Sequence, residues 1–306
     1  MIDVVYVLGS GSIWNNNEIR FSLRSLEKNL QGFRNIWVVG IRPEWIRNIR
    51  YIEFGDELKN NADGNIARKL LRVCQEEDLT DDFLFINDDH FVIKPVNASD
   101  IPPFHKGDLS RLPDEYFQHS FWRGRLFRTR NILISKHLPA LHYDCHAPMV
   151  INKQKFPQAI SQFDFEKNIG YTMKSLYGNV IYGKDGKRLN GEKVTIFKKM
   201  TTHEIKRHCI RAMFVAVNNA GLNASFKQWL YEVFPDPSRY EEGGSTREGF
   251  VEIIDWLNGD KDYAKGSELF VKYGKSRKIK KFISKHETMG RQMKLEHHMK
   301  ELLNYL

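Results

Sequence analysis

The chain is poor in the features that would place it outside ordinary globular proteins. It has 3 cysteines in 306 residues, Cys74, Cys145 and Cys209, too few for a disulfide framework. No run of about eighteen apolar residues occurs, which argues against a membrane-spanning helix. There is no internal repeat and no low-complexity tract, and neither a Walker loop nor a GxGxxG fingerprint. No basic segment precedes the first apolar run, since Met1-Ile2-Asp3 leads straight into it. That argues against a secretory signal and for a cytoplasmic protein. Asn97-Ala98-Ser99 and Asn223-Ala224-Ser225 match glycosylation sequons, which outside a secretory route are chance matches. Apolar residues make up 41% of the chain, too many for disorder, and the length allows one large core or two.

What is abundant is positive charge, and it is uneven. The net charge is +9, and Lys275 to Lys300 carries nine Lys/Arg against Glu287 and Glu296, which is +7 of it. The rest of the chain is close to neutral. A tail this basic suits a polyanion, either nucleic acid or an anionic membrane surface; the competing reading is a solvated helix face.

The pattern along the chain predicts strands alternating with helices. Ile2–Leu8 reads as a strand ending in Gly9-Ser10-Gly11-Ser12, and Ile19, Leu23, Leu26 and Leu30 mark one face of a helix over 18–30. Further strands are expected at 35–40, 50–54 and 83–86, with a helix over 65–75. Residues 102–130 read as loop and short helix. From His203 onward the pattern is helical: a helix from Thr202 to about Val217, one from Asn223 to Phe234, a capping box at Ser245–Glu248, and an amphipathic C-terminal stretch. The fold class expected is α/β, with a mostly parallel, Rossmann-like sheet. A domain over 1–241 would precede a helical, basic extension over 242–306.

Three segments carry candidate chemistry. Phe83–Ile86 runs into Asn87-Asp88-Asp89-His90, placing adjacent carboxylates at the carboxyl end of a buried strand, the edge where open α/β sheets bind ligands. Paired Asp repel unless a cation compensates, and a divalent ion bridging Asp oxygens and a diphosphate fits; a polar turn is the alternative. His142-Tyr143-Asp144-Cys145-His146-Ala147-Pro148 offers a catalytic His on a loop or, with His142 and His146 four apart, a zinc site. Pro148 and the β-leaning residues after it argue against the helix that zinc reading needs. Arg20 and Arg24, one helical turn apart, suit phosphate oxygens beside the Gly9–Ser12 turn, or surface ion pairs.

Together these segments resemble the Stealth family of sugar-phosphate transferases, which includes capsular-polysaccharide phosphotransferases and N-acetylglucosamine-1-phosphotransferase. The likeness lies in Ile2–Tyr6, in 18–40 with Phe85–Phe91 (FINDDHF), in His146-Ala147-Pro148 with Ile151-Asn152-Lys153, and in 214–241. It implies a glycosyltransferase-A-like fold and metal-dependent transfer of a sugar-1-phosphate from a nucleotide-sugar to a hydroxyl of a glycan or other acceptor. It implies Mg²⁺ or Mn²⁺ held by Asp88, Asp89 and Asn219, with Asp88 or His146 accepting the proton. Gly9, Ser10, Arg20, Arg24, Asn65, Lys167 and Asn218 would bind substrate. Where the family has an Asn-Asp pair this chain has Asn218-Asn219, and Met149 replaces a second His. The alternatives are a true glycosyltransferase releasing a nucleoside diphosphate, even one modifying DNA in the manner of phage enzymes, and a non-catalytic nucleotide-sugar-binding protein.

Overall fold

The structure is a computed structural model that describes residues 1–167 and 169–242. The helices expected beyond Ser245 and the basic tail lie outside them. Met1–Tyr240 forms one compact unit, and Glu241–Leu306 a second, of which only the first two residues are described.

The elements in chain order are β1 (Ile2–Leu8), α1 (Asn17–Asn29), β2 (Phe33–Gly40), β3 (Arg50–Glu53), α2 (Ala62–Val73), β4 (Asp82–Ile86), β5 (His90–Val92), α3 (Phe121–Ser135), β6 (Met149–Asn152), α4 (Lys155–Ile160), α5 (Met173–Ile181), β7 (Lys193–Ile196), α6 (Thr202–Cys209), β8 (Phe214–Val217) and α7 (Ala224–Val233). Several two-residue strands and 3₁₀ turns join them. The main sheet has the order β3-β2-β1-β4-β6, parallel except for β6. Its central strands β1, β2 and β4 are apolar on both faces because both are covered. Val5, Trp37, Val39, Phe83 and Phe85 pack with Ala67, Leu70 and Val73 of α2 and with α3 and α5. Val4, Tyr6, Val38, Leu84 and Ile86 pack with Ile19, Leu23 and Leu26 of α1. The α/β class and the mostly parallel sheet are as the sequence predicts.

A second sheet, β7-β8-β5, has its first strand, β5, separated from the end of β4 by only three residues. One face buries Phe91, Val215, Val217 and Ile196 against α6 and α7. Alternation along the strands puts His90, Ala216, Lys193 and Thr195 on the opposite face. This sheet overturns the helix expected from Thr202 to Val217. The helix stops at Cys209, and Phe214–Val217 is a fully buried strand pairing with β5 and β7. A four-residue apolar run fits a helix or a buried strand equally by periodicity, and tertiary pairing decided it. Residues 102–130 also depart from expectation: the 15-residue helix α3 starts at Phe121. Four arginines and Gly124 interrupt any one-sided apolar stripe there. Both sequon asparagines hold local backbone. Asn97 Oδ1 accepts from Ser99 N, and Asn223 caps α7 by accepting from Phe226 N at 2.9 Å.

Candidate functional site

Strand order in the main sheet reverses direction between β1 and β4, and a crevice opens where their carboxyl ends diverge. A cavity of about 1010 Å³ lies there. The Gly9–Ser12 turn after β1, the Asn87–Asp89 turn after β4, the start of α2, Phe121 and Arg125 of α3 and the loop after β8 line it. The acid turn is held by the second sheet: His90 N donates to the Asn87 carbonyl and Val217 N to the Asp89 carbonyl, each at 3.2 Å.

Charge in this turn is poorly compensated. Burial pushes Asp88 up to about 8, and Asp89 and Glu18 add to the rise. Burial likewise raises Asp89 to about 6, with Lys193 and Lys174 pulling the other way. Asp89 Oδ1 is buried without a hydrogen-bond partner although 26% of its side chain is exposed. Neither ring nitrogen of His90 has a partner, and Nε2 lies 3.5 Å from Asp89 Oδ1. His146, at φ +54°, brings its ring to 6.0 Å from that of His90. One donor atom from each of Asp89, His90 and His146 lies within 4.8 Å of the other two, the single such group among the described residues. Burial and nearby lysines hold His90 well below its ordinary value and His146 down to about 3, so both imidazoles are neutral. Neutral imidazole nitrogens and an unpartnered carboxylate oxygen fit a bound cation, which would satisfy groups that are otherwise costly to bury.

The residues singled out in the sequence divide into two groups. Gly9, Ser10, Asn65, Asp88, Asp89, Asn218 and Asn219 line the cavity. Two of them also hold loops: Asn65 Oδ1 accepts from Glu57 N and Leu58 N, and Asn218 Oδ1 from Gly221 N. Arg20, Arg24 and Lys167 do not line it. Arg20 is buried with its guanidinium 4.0 Å over the Trp45 ring and bonds Asn17. Arg24 donates to the Phe234 carbonyl, so both tie α1 to its neighbours. Lys167 is exposed and paired with Asp164. Asp88 and Asn219 fall outside the Asp89–His90–His146 group. That group adds His90, which the sequence showed only as the residue after two acids. Residues 142–148 are not helical, and His142 is not in the group.

No family model and no curated protein matches this chain. Solved structures similar to it include glycosyltransferases. The galactosyltransferase LgtC with donor and acceptor sugar analogs is 11% identical, with 78% of this chain and 98% of that one covered, at a TM-score of 0.43. Mouse xyloside xylosyltransferase 1 is 10% identical over 72% and 98%, at 0.36. The bifunctional WbbM is 11% identical over 84% of this chain and 51% of that one, at 0.46.

His142 stands apart. It is 4% exposed, its ring is 5.8 Å from that of Trp122, and neither ring nitrogen has a partner. Burial first, then Lys106, His105 and Lys193, pushes it down to about 3. Below pH 6.5 the unfolded chain therefore takes up a proton that the native chain refuses, and stability falls as pH drops toward 3. His142→Leu should raise stability by about 1–2 kcal/mol at pH 7 by removing an unsatisfied buried ring, and by more at pH 5. Urea unfolding at the two pH values checks both; a destabilised variant would mean the imidazole is satisfied in solution.

Proposed function

We propose that this chain is a metal-dependent transferase that takes a nucleotide-sugar and moves its sugar-1-phosphate to an acceptor hydroxyl. The observation that carries this reading is the convergence at the sheet's crevice: a large cavity bounded by a glycine-bearing turn, with Asp88 and Asp89 on its wall and the Asp89–His90–His146 group beside them. The sequence likeness to Stealth transferases supports the phosphoryl variant, and the strand order, whose switch point is where open α/β sheets take ligands, supports a nucleotide-sugar site.

Asp89, His90 and His146 would hold the ion. When bound, a divalent ion supplies charge neutralisation and Lewis acidity to a diphosphate. Of Mg²⁺ and Mn²⁺, two imidazole donors favour Mn²⁺, since Mg²⁺ takes oxygen ligands almost exclusively. Asp88 is the better proton acceptor. It lines the cavity and is raised to about 8 by burial, Asp89 and Glu18, within reach of working pH. His146, in the donor group and lowered to about 3, suits ligation better than proton abstraction. Gly9 and Ser10 allow close backbone approach by the nucleotide. Arg125 lines the cavity while paired to Asp63 at 2.7 Å, so it stiffens the wall.

The test is to incubate the protein with a panel of nucleotide-sugars, Mn²⁺ and simple glycan acceptors and to identify the nucleotide released. A nucleoside monophosphate supports phosphosugar transfer. A diphosphate converts the reading to glycosyl transfer. Donor binding without turnover on any acceptor leaves a binding protein.

A further inference from the structure

The antiparallel ladder between β4 and β6 stops short of the site. Its registered pairs run from Asp82 opposite Asn152 to Phe85 opposite Met149. The next residue on the β6 side is Pro148, which has no N–H to continue the ladder. Beyond it the same register would set Asn87 opposite Ala147, where the two strands part. Each parting end carries a member of the donor group: Asp89 lies two residues past Asn87, and His146 immediately precedes Ala147.

A side chain from a third element closes this gap. The Lys174 ammonium donates to the Ala147 carbonyl at 2.8 Å and lies 3.5 Å from Asn87 Oδ1. Lys174 is the second residue of α5, is 3% exposed, and sits 4.9 Å from the centre of the Phe85 ring. Stability alone gives little reason for this placement. A cation in the first turn faces the positive end of the helix dipole. Among the described residues no carboxylate lies within ion-pair distance of it; Asp144, Asp89 and Asp63 act from further off. An ammonium buried on a carbonyl and an amide oxygen is costly, yet its donors reach both segments of the site.

We infer that Lys174 is a positioning residue: its ammonium pins the Asn87–His90 turn to the His146–Ala147 segment, so that Asp89 and His146 meet from separate stretches of chain. This rests on the reading that Asp89 and His146 hold the metal. Partners one shell out from a metal typically change its affinity by about 10–100-fold. Lys174→Met, close in length and without the ammonium, should therefore weaken Mn²⁺ binding by about that factor, measured by electron paramagnetic resonance on the full chain. With a competent donor, turnover at saturating Mn²⁺ should recover to within a few-fold of the parent. Lys174→Arg, which keeps a donor at both oxygens, should restore most of the affinity. A lysine that only stabilised the fold would lower the melting temperature and leave Mn²⁺ affinity alone. Lys174→Met binding Mn²⁺ within twofold of the parent overturns the inference, provided Asp89→Asn abolishes binding in parallel. If Asp89→Asn keeps Mn²⁺, the metal reading and this inference fall together. Should Lys174→Met fail to fold, Asn87→Ala tests the pin from its other end: a several-fold loss of Mn²⁺ affinity is expected, and unchanged affinity overturns it.

Discussion

Asp89→Asn should abolish Mn²⁺ binding and lower turnover by about 10²–10³-fold, since the ion's charge stabilisation is worth several kcal/mol and each 1.36 kcal/mol is a factor of ten. The same substitution should not damage the metal-free fold, and above neutrality it should strengthen it. Asp89 Oδ1 is buried without a partner, and burial lifts its carboxyl from 3.8 to about 6. The sign follows from proton uptake. Between those two values the native state holds a proton that the unfolded chain has released, so the parent loses stability as pH rises through this window. Above it the native carboxylate is ionised and poorly solvated, a burden the neutral amide lacks. The variant's advantage in metal-free urea unfolding should therefore be largest near pH 8 and shrink toward pH 4. Retained Mn²⁺-dependent turnover in Asp89→Asn would refute the metal reading.

Gly40→Ala should cost more than about 4 kcal/mol or prevent folding, a size reached only by a backbone clash or an equivalent defect. Gly40 ends β2 opposite Leu8 at φ +125°, and a Cβ there would stand 1.9 Å from the Leu8 carbonyl oxygen. That oxygen already accepts from the Lys69 ammonium at 2.7 Å and from Ile41 N at 3.4 Å. The residue after Leu8 opens the turn that lines the cavity, so the clash falls where the nucleotide would lie. Gly11, in the same turn, has a φ outside the left-handed range, and a Cβ added there would meet no atom within 4 Å. Gly11→Ala should be neutral, or stabilising by about 0.4–1 kcal/mol through the unfolded chain. Chemical denaturation of the two variants side by side separates the local clash from a general intolerance of side chains in this region.

The parallel core was legible in the sequence because its central strands are buried on both faces and read as apolar runs, while the edge strand at 50–53 keeps Arg50 and Glu53 exposed. The expected 2–8, 35–40, 50–54 and 83–86 became 2–8, 33–40, 50–53 and 82–86. Helix α2 begins at Ala62 rather than near residue 65 because Asn61 caps it through Gly64 N at 2.9 Å, and a glycine in the first turn hid that start. The acid turn was legible for the same reason: two aspartates after an apolar strand stand out. Its partners were not. His90 became part of the site through β5 pairing with β8, a strand whose sequence passes equally for the end of a helix. Lys174 lies in an ordinary helical stretch, and only the meeting of α5 with the ends of β4 and β6 gives its ammonium a place. Arg20 and Arg24 show the reverse case, since arginines near a phosphate-like turn were taken up by Trp45 and the Phe234 carbonyl.

The pairing of His90 with Ala216 also has a consequence in time. Strands β1 to β4 and helix α1 can assemble from the first third of the chain, and α1 already bonds the β5 backbone through Ser25 and Asn29, whereas β5 has no partner strand until β8, far along the sequence, has been made. At about 5–20 residues per second on the ribosome, the second sheet waits on the order of ten seconds after β4 has been made. Contacts this distant in sequence also form slowly in a refolding chain. Throughout that interval β5 is an open edge able to pair with other strands, and the acid turn is anchored on one side only. The geometry of the Asp89–His90–His146 group is therefore a late product of folding, and the nascent chain would pass through a stage with a formed core and no such group.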